Sequence, residues 1–161
     1  MGVAVKTQAQ DQAQDQVGQE QATALEIVTK MTEAQRTYYQ KNGKFQVVVQ
    51  EMAEDLNLTL PPSFNYAVRT SFDGAYIYVQ PAQTPMADQL KAYVGGAFIK
   101  SPQNEDQNSE IMTIICQTTK TGRRRPADPQ VARGTKLSST TELSLSCGDF
   151  SVPVPDSNQN E

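Results

Sequence analysis

The sequence predicts an α+β domain in which one long N-terminal helix packs on a small antiparallel sheet of about four strands. Three observations carry that reading. An apolar stripe recurs at helical spacing through Leu25, Val28, Met31 or Thr32, Gln35 and Tyr38, flanked by Ile27, Ala34 and Tyr39. Beyond Pro61-Pro62 the apolar period changes to two, through Phe64 to Thr70 and Ala75 to Gln80. Two cysteines, Cys116 and Cys147, each sit in or beside such a run.

The helix is predicted from about Thr7 to Gln40. It opens on a polar repeat from Gln8 to Gln16, in which alanine and glutamine favour helix but no apolar face exists. Only the second half can therefore bury a face, and the first half is expected to project. Asn42-Gly43 should end the helix, because glycine enters the left-handed cap conformation without steric cost. The run from Phe45 to Met52 is ambiguous by pattern, and its acidic continuation through Glu54, Asp55 and Leu56 favours a short helix.

Strand signals follow in order. Phe64 to Thr70 and Ala75 to Gln80 flank a turn at Phe72-Asp73-Gly74 and read as a hairpin. Pro81 to Pro85 connects to a third strand, Leu90 to Ile99, whose paired Gly95 and Gly96 point to a bulge or a close backbone approach. A polar loop from Ser101 to Glu110 precedes a fourth strand, Ile111 to Cys116. The stretch from Thr118 to Thr135, with Gly122, Arg123-Arg124-Arg125, Pro126 and Pro129, reads as a surface excursion. The chain thus divides into a polar helical or disordered extension over 1–20, a domain over 21–150 and a disordered tail over 151–161.

Composition narrows the function. The 161 residues, with 37% hydrophobic and 7% aromatic content, suit one modest core flanked by polar segments. A net charge of −4 argues against general nucleic-acid binding, which needs a basic face to neutralise phosphates. No apolar run approaches the length of a membrane span, and Met1 to Lys6 is too short for a signal peptide. With no histidine in the chain, Ser-His and Cys-His nucleophiles and the usual hydrolytic metal sites are excluded. No phosphate-binding glycine loop is present either. Neither a catalytic residue, a metal site nor a cofactor is expected.

The remaining candidates each have a bland reading. Glu51, Glu54 and Asp55 are close enough in sequence for acid–base work, yet read first as a solvated helix face. Arg123, Arg124 and Arg125 form the one dense basic cluster. They either solubilise a loop and pair with nearby carboxylates, or contact anionic lipid or a polyanion. Leu25, Val28, Met31, Tyr38, Tyr39 and Phe45 read as helix-to-sheet core before they read as a partner groove. Cys116 and Cys147 suggest a bridge that would pin the excursion at both ends, with two separate buried thiols as the other possibility.

The segment from Glu33 to Phe45 resembles the end of the long helix and following turn of type IV pilins and pseudopilins, in which the tyrosines close the helix over the sheet. Met52 to Leu60 is similar to that family's short helix, and Phe64-Asn65-Tyr66 to the start of its first strand. Leu90 to Phe98, Ile114-Ile115-Cys116 and the later Cys147 resemble the cyanobacterial type IV pilin-like G and H group, with its cysteine-bounded C-terminal region. The resemblance covers roughly Gln21 to Gly148. It implies a pilin-like head and a non-enzymatic, exported protein of the periplasm, cell surface or thylakoid lumen.

Two functions follow from it. One is a major or minor pilin or pseudopilin subunit of a type IV pilus or type II secretion-like filament, serving motility, adhesion, DNA uptake or secretion, with other pilin subunits as partners. The other is a membrane-anchored accessory module that docks on an envelope or lumenal protein complex. The family begins with a basic leader and a strongly apolar helical half, neither of which precedes Gln8 here. The membrane is therefore expected to be reached only through an anchor absent from this chain. No specific nucleic acid and no small-molecule substrate is implied.

Overall fold

A computed structural model describes residues 8–100, 110–133 and 143–154, with side chains from Gln14 onward. Helix α1 runs Gln8–Asn42, 35 residues, or about 50 Å at 1.5 Å per residue. Gln14, Asp15 and Gln16 are exposed, and continuous burial begins only at Ala24. From there Ala24, Ile27, Val28, Met31, Thr32 and Gln35 are buried, at the three- and four-residue spacing that puts them on one face. The helix ends two residues beyond the expected Gln40. Gly43 takes φ 72°, and its N–H donates to the Tyr39 carbonyl at 2.7 Å.

The chain from Phe45 to Val48 is outside any helix, with Val48 extended, and helix α2 covers only Val49–Asp55. The later start follows from Val47-Val48-Val49, a β-branched run that resists helix until Gln50-Glu51-Met52 takes over. Asn57 closes α2 at φ 55°. The bonds Leu58 N–H to Ala53 O and Asn57 N–H to Glu54 O then satisfy the last carbonyls.

Strands β1 (Phe64–Thr70), β2 (Gly74–Pro81), β3 (Tyr93–Ile99), β4 (Ile111–Thr118) and β7 (Ser151–Pro153) form a five-stranded sheet in the order β1-β2-β3-β4-β7. All four pairings are antiparallel. A separate hairpin joins β5 (Gln130–Arg133) to β6 (Leu143–Ser146). The fifth strand comes from the stretch expected to be tail: Val152 opposes Gln117, and the next residue but one, Val154, is buried. The polar loop expected after Ser101 lies outside the described residues up to 109, as do Met1 to Lys6 and the end from 155 onward.

Because side chains alternate along a strand, the sheet has two covered faces. Helices α1 and α2 cover one, where Phe64, Ile77, Val79, Tyr93 and Ile115 meet Ile27, Val28, Met31 and Met52. The β5–β6 hairpin and its flanking loops cover the other, around Tyr78, Val94, Phe98, Ile114, Cys116 and Leu143. All seven residues of β3 are consequently buried.

The β3–β4 register runs without a slip from Tyr93↔Gln117 to Ile99↔Ile111, so the glycine pair is a close approach and not a bulge. A Cβ at Gly95 would stand 1.9 Å from Thr32 Oγ1 on α1, and one at Gly96 would stand 2.5 Å from the Phe98 ring. Neither position has room for a side chain. Glycine at 95 therefore sets how near the helix comes to the sheet.

Candidate interaction surface

Two glutamines tie α1 to the rest of the domain in the same way. Gln35, fully buried, donates from Nε2 to the Gln46 carbonyl at 2.7 Å and accepts from the Gln46 N–H at 2.8 Å. Gln21, four turns earlier, donates to the Lys91 carbonyl at 2.9 Å and accepts the Lys91 N–H at 2.8 Å. Each side-chain amide thus satisfies both polar groups of one backbone residue, as a neighbouring strand would. These two side chains explain how a helix with so polar a start is held in register on the sheet.

The expected core residues divide by depth. Val28 and Met31 are fully buried, Phe45 is buried, and Leu25 is half-buried. Tyr39 stacks at a tilt on Phe45, with ring centroids 4.6 Å apart, over Ala75, Ala97, Ile99 and Ile111. Tyr38 instead lines a groove of about 670 Å³ between α1 and α2, with Lys30, Lys41 and Asp55 on its rim. The acidic residues Glu51, Glu54 and Asp55 are exposed, and Asp55 accepts a bond from Gln46 Nε2 at 3.1 Å.

On the opposite face a cation–aromatic clasp holds the excursion down. Arg69 lies across β1–β2 from Tyr76, with its guanidinium 4.2 Å from that ring's centroid. The same guanidinium pairs with Asp128 at 2.6 Å and donates to the Tyr78 hydroxyl at 3.3 Å. Tyr78 in turn donates to Asp128 Oδ1 at 2.5 Å, and Arg125 covers the Tyr78 ring at 4.3 Å. Burial raises the titration of Tyr76 and Tyr78, the latter raised further by its bond to Asp128. The bond to Tyr78 holds Arg69 more firmly in its charged form. Every shift therefore keeps a group in its ordinary neutral-pH state, which suits a clasp and not a proton-transfer site.

Cys116 and Cys147 form a disulfide, with a Cα–Cα distance of 5.8 Å. The chain beyond each cysteine builds one wall of a cleft of about 560 Å³. Thr118 to Ala127 supply one side, and Asp149 and Phe150 the other. Arg123, Arg124 and Arg125 all line it. Gln80 Nε2 holds the Arg123 carbonyl at 3.2 Å, and Gly122 donates to the Leu90 carbonyl at 2.9 Å. All three arginines of the expected cluster are exposed, and of them Arg125 is engaged in the clasp through the Tyr78 ring.

Sequence reasoning passed over the clasp and the two glutamine ties. A signal for each was present. Tyr76 and Tyr78 alternate with Ala75, Ile77 and Val79, so both faces of that strand are apolar and both need a cover. Gln35 stands inside the apolar stripe, and a polar residue there requires a partner.

A family model described as type IV pilin-like G and H matches residues 21–147. The chain belongs to the type IV pilin-like family. The match opens on Gln21, the first of the two glutamine ties, and closes on Cys147, so it takes in α1 from Gln21 onward, α2, four strands of the main sheet and the β5–β6 hairpin of this pilin-like domain. No curated protein sequence and no solved structure matches the chain significantly. Among the described residues no helix is long and apolar enough to cross a membrane, and no cluster of acidic or cysteine side chains has the makings of a metal site.

Proposed function

We propose that this pilin-like protein is a non-enzymatic, exported assembly subunit of a type IV pilus or type II secretion-like filament, with other pilin subunits as its partners. The observation that supports this reading is the division of α1. From Val17 onward it is built into the domain, through Val17, the Gln21 and Gln35 ties and Ala24 to Gln35, while Gln14, Asp15 and Gln16 before it are exposed. A helix held rigidly at one end and uncovered at the other is suited to packing beside its counterpart in a neighbouring subunit.

The polar character of the exposed stretch from Gln14 to Gln16 favours a second reading, a membrane-anchored accessory module of the periplasm or thylakoid lumen that docks on a protein complex. Mechanical shearing of cells separates the two. A filament subunit is recovered in the sheared fibre fraction together with other pilins. Recovery only with the membrane fraction, in a complex that holds no pilin, contradicts the filament reading.

A further inference from the structure

Among the described residues Phe150 alone is both a large exposed hydrophobic side chain and a non-glycine residue at positive φ. Its φ of 62° lies in the left-handed region, where a bulky side chain is strained and glycine or asparagine would serve the turn at less cost. Its backbone is nonetheless fixed, because its carbonyl accepts from Thr119 N–H at 2.9 Å and from Thr119 Oγ1 at 3.2 Å. The ring receives no matching cover and is 70% exposed. The fold therefore gains nothing from a phenyl group at this turn.

The surroundings supply a use for it. Phe150 stands on the rim of the basic cleft, beside Lys120, Arg123 and Arg124, all three exposed, and with Asp149 as the one acidic residue of the lining. Val152, two residues on, is a second exposed apolar side chain. An outward-pointing ring flanked by cations is the chemistry that meets a membrane interface, with the ring entering the acyl boundary and the cations lying among phosphate headgroups. A protein partner would need a preformed hollow for a protruding ring, whereas a fluid lipid surface needs none. The chain as a whole carries a net charge of −4, against which Lys120, Arg123 and Arg124 on one rim stand as a local excess of positive charge.

We infer that Phe150, with Lys120, Arg123 and Arg124, forms a docking surface for the anionic phospholipid face of a membrane. This contact belongs to the head domain itself, is independent of any anchoring segment, and does not rest on filament assembly.

The chain contains no tryptophan, so Phe150→Trp in the full chain places a single indole at the contact, excited selectively at wavelengths beyond tyrosine absorption. The probes are vesicles of phosphatidylcholine alone and of phosphatidylcholine mixed equally with phosphatidylglycerol. Blue-shifted emission and co-sedimentation are expected with the mixed vesicles at low salt only. Each cation near such a surface contributes roughly fivefold in partitioning, so adding Arg123→Ser and Arg124→Ser should weaken binding on the order of 25-fold. Phe150→Gly relieves the left-handed strain, so it should hold or raise the melting temperature while losing co-sedimentation. That combination separates docking from folding. No spectral shift with anionic vesicles, equal binding to neutral ones, or a stronger response to a single-stranded oligonucleotide or to polyglutamate than to vesicles would each overturn the inference.

Discussion

Gln35 and Gln21 make the same pair of bonds at different depths, and this turns them into a controlled comparison. Removing Gln35 leaves the Gln46 N–H and carbonyl unpaired in a buried site, at about 1–3 kcal/mol for each stranded group. Gln35→Ala should therefore cost roughly 2–5 kcal/mol in urea denaturation once the lost packing is included. Gln21 is only half-buried, so water can replace it at Lys91, and Gln21→Ala should cost about 1 kcal/mol or less. Equal costs at the two sites would contradict the role given to burial. Gly95 poses the complementary case of too little space. Its added Cβ meets Thr32 Oγ1 at 1.9 Å, and that hydroxyl has no hydrogen-bond partner of its own. Gly95→Ala should destabilise by about 1–3 kcal/mol. Thr32→Ala should cost less and restore part of the loss in the double variant, which a mutant cycle measures. An additive cycle would mean that the helix does not rest on this glycine.

Among the elements, β7 is the one that sequence reading assigned to the tail, and the reason is physical. Ser151–Pro153 is three residues long, has no alternation to detect and contains a proline, which is admissible here only because the strand lies at a sheet edge. What makes it a strand is long-range: the bond from Val154 N–H to the Ile115 carbonyl at 2.9 Å and the burial of the Val154 side chain. By contrast α1, β1, β2, β3 and β4 were legible, because local sequence carries either a period, as in α1 and β1, or a short apolar run bounded by turn and loop residues, as in β3 and β4. The disulfide was suggested by the placement of Cys116 and Cys147 in strand-like runs, and its two walls were not, since a cleft depends on which segments meet beyond the bridge. A chain ending at Phe150 should lose roughly 2–4 kcal/mol, the burial of Val154 together with the β4 bonds. One ending at Val154 keeps both and is the reference for that loss. Calorimetry on the two truncations decides whether the domain closes before or after β7.

Taken as a whole, the domain is a sheet insulated on both sides by covers of unequal strength. The helical cover is held by a continuous apolar stripe, whereas the outer cover is short of apolar mass and relies on the Arg69–Tyr78–Asp128 clasp and the Cys116–Cys147 bridge. A bridge spanning 31 residues restricts the unfolded chain by about 3–4 kcal/mol on the entropic account. Cys116→Ser with Cys147→Ser should lower stability by about that much and loosen the outer cover first, as hydrogen exchange in β5 and β6 would report. Beneath both covers the sheet carries tyrosines that titrate late: Tyr66 and Tyr93 under the helices, and Tyr76 and Tyr78 on the outer face, all raised chiefly by burial. A raised folded value means that the unfolded chain releases these protons first. Their contribution is thus fully present below the unfolded tyrosine value of 10.0 and is lost as pH climbs from there through the folded values. The melting temperature should hold steady from neutral pH towards 10 and then fall steeply, with phenolate absorbance appearing together with unfolding. In the serine double variant the outer pair should ionise at lower pH than the pair beneath the helices, splitting one transition into two. A single coincident transition in both proteins would show that the two covers fold as one unit and that the bridge does not hold the outer cover on its own.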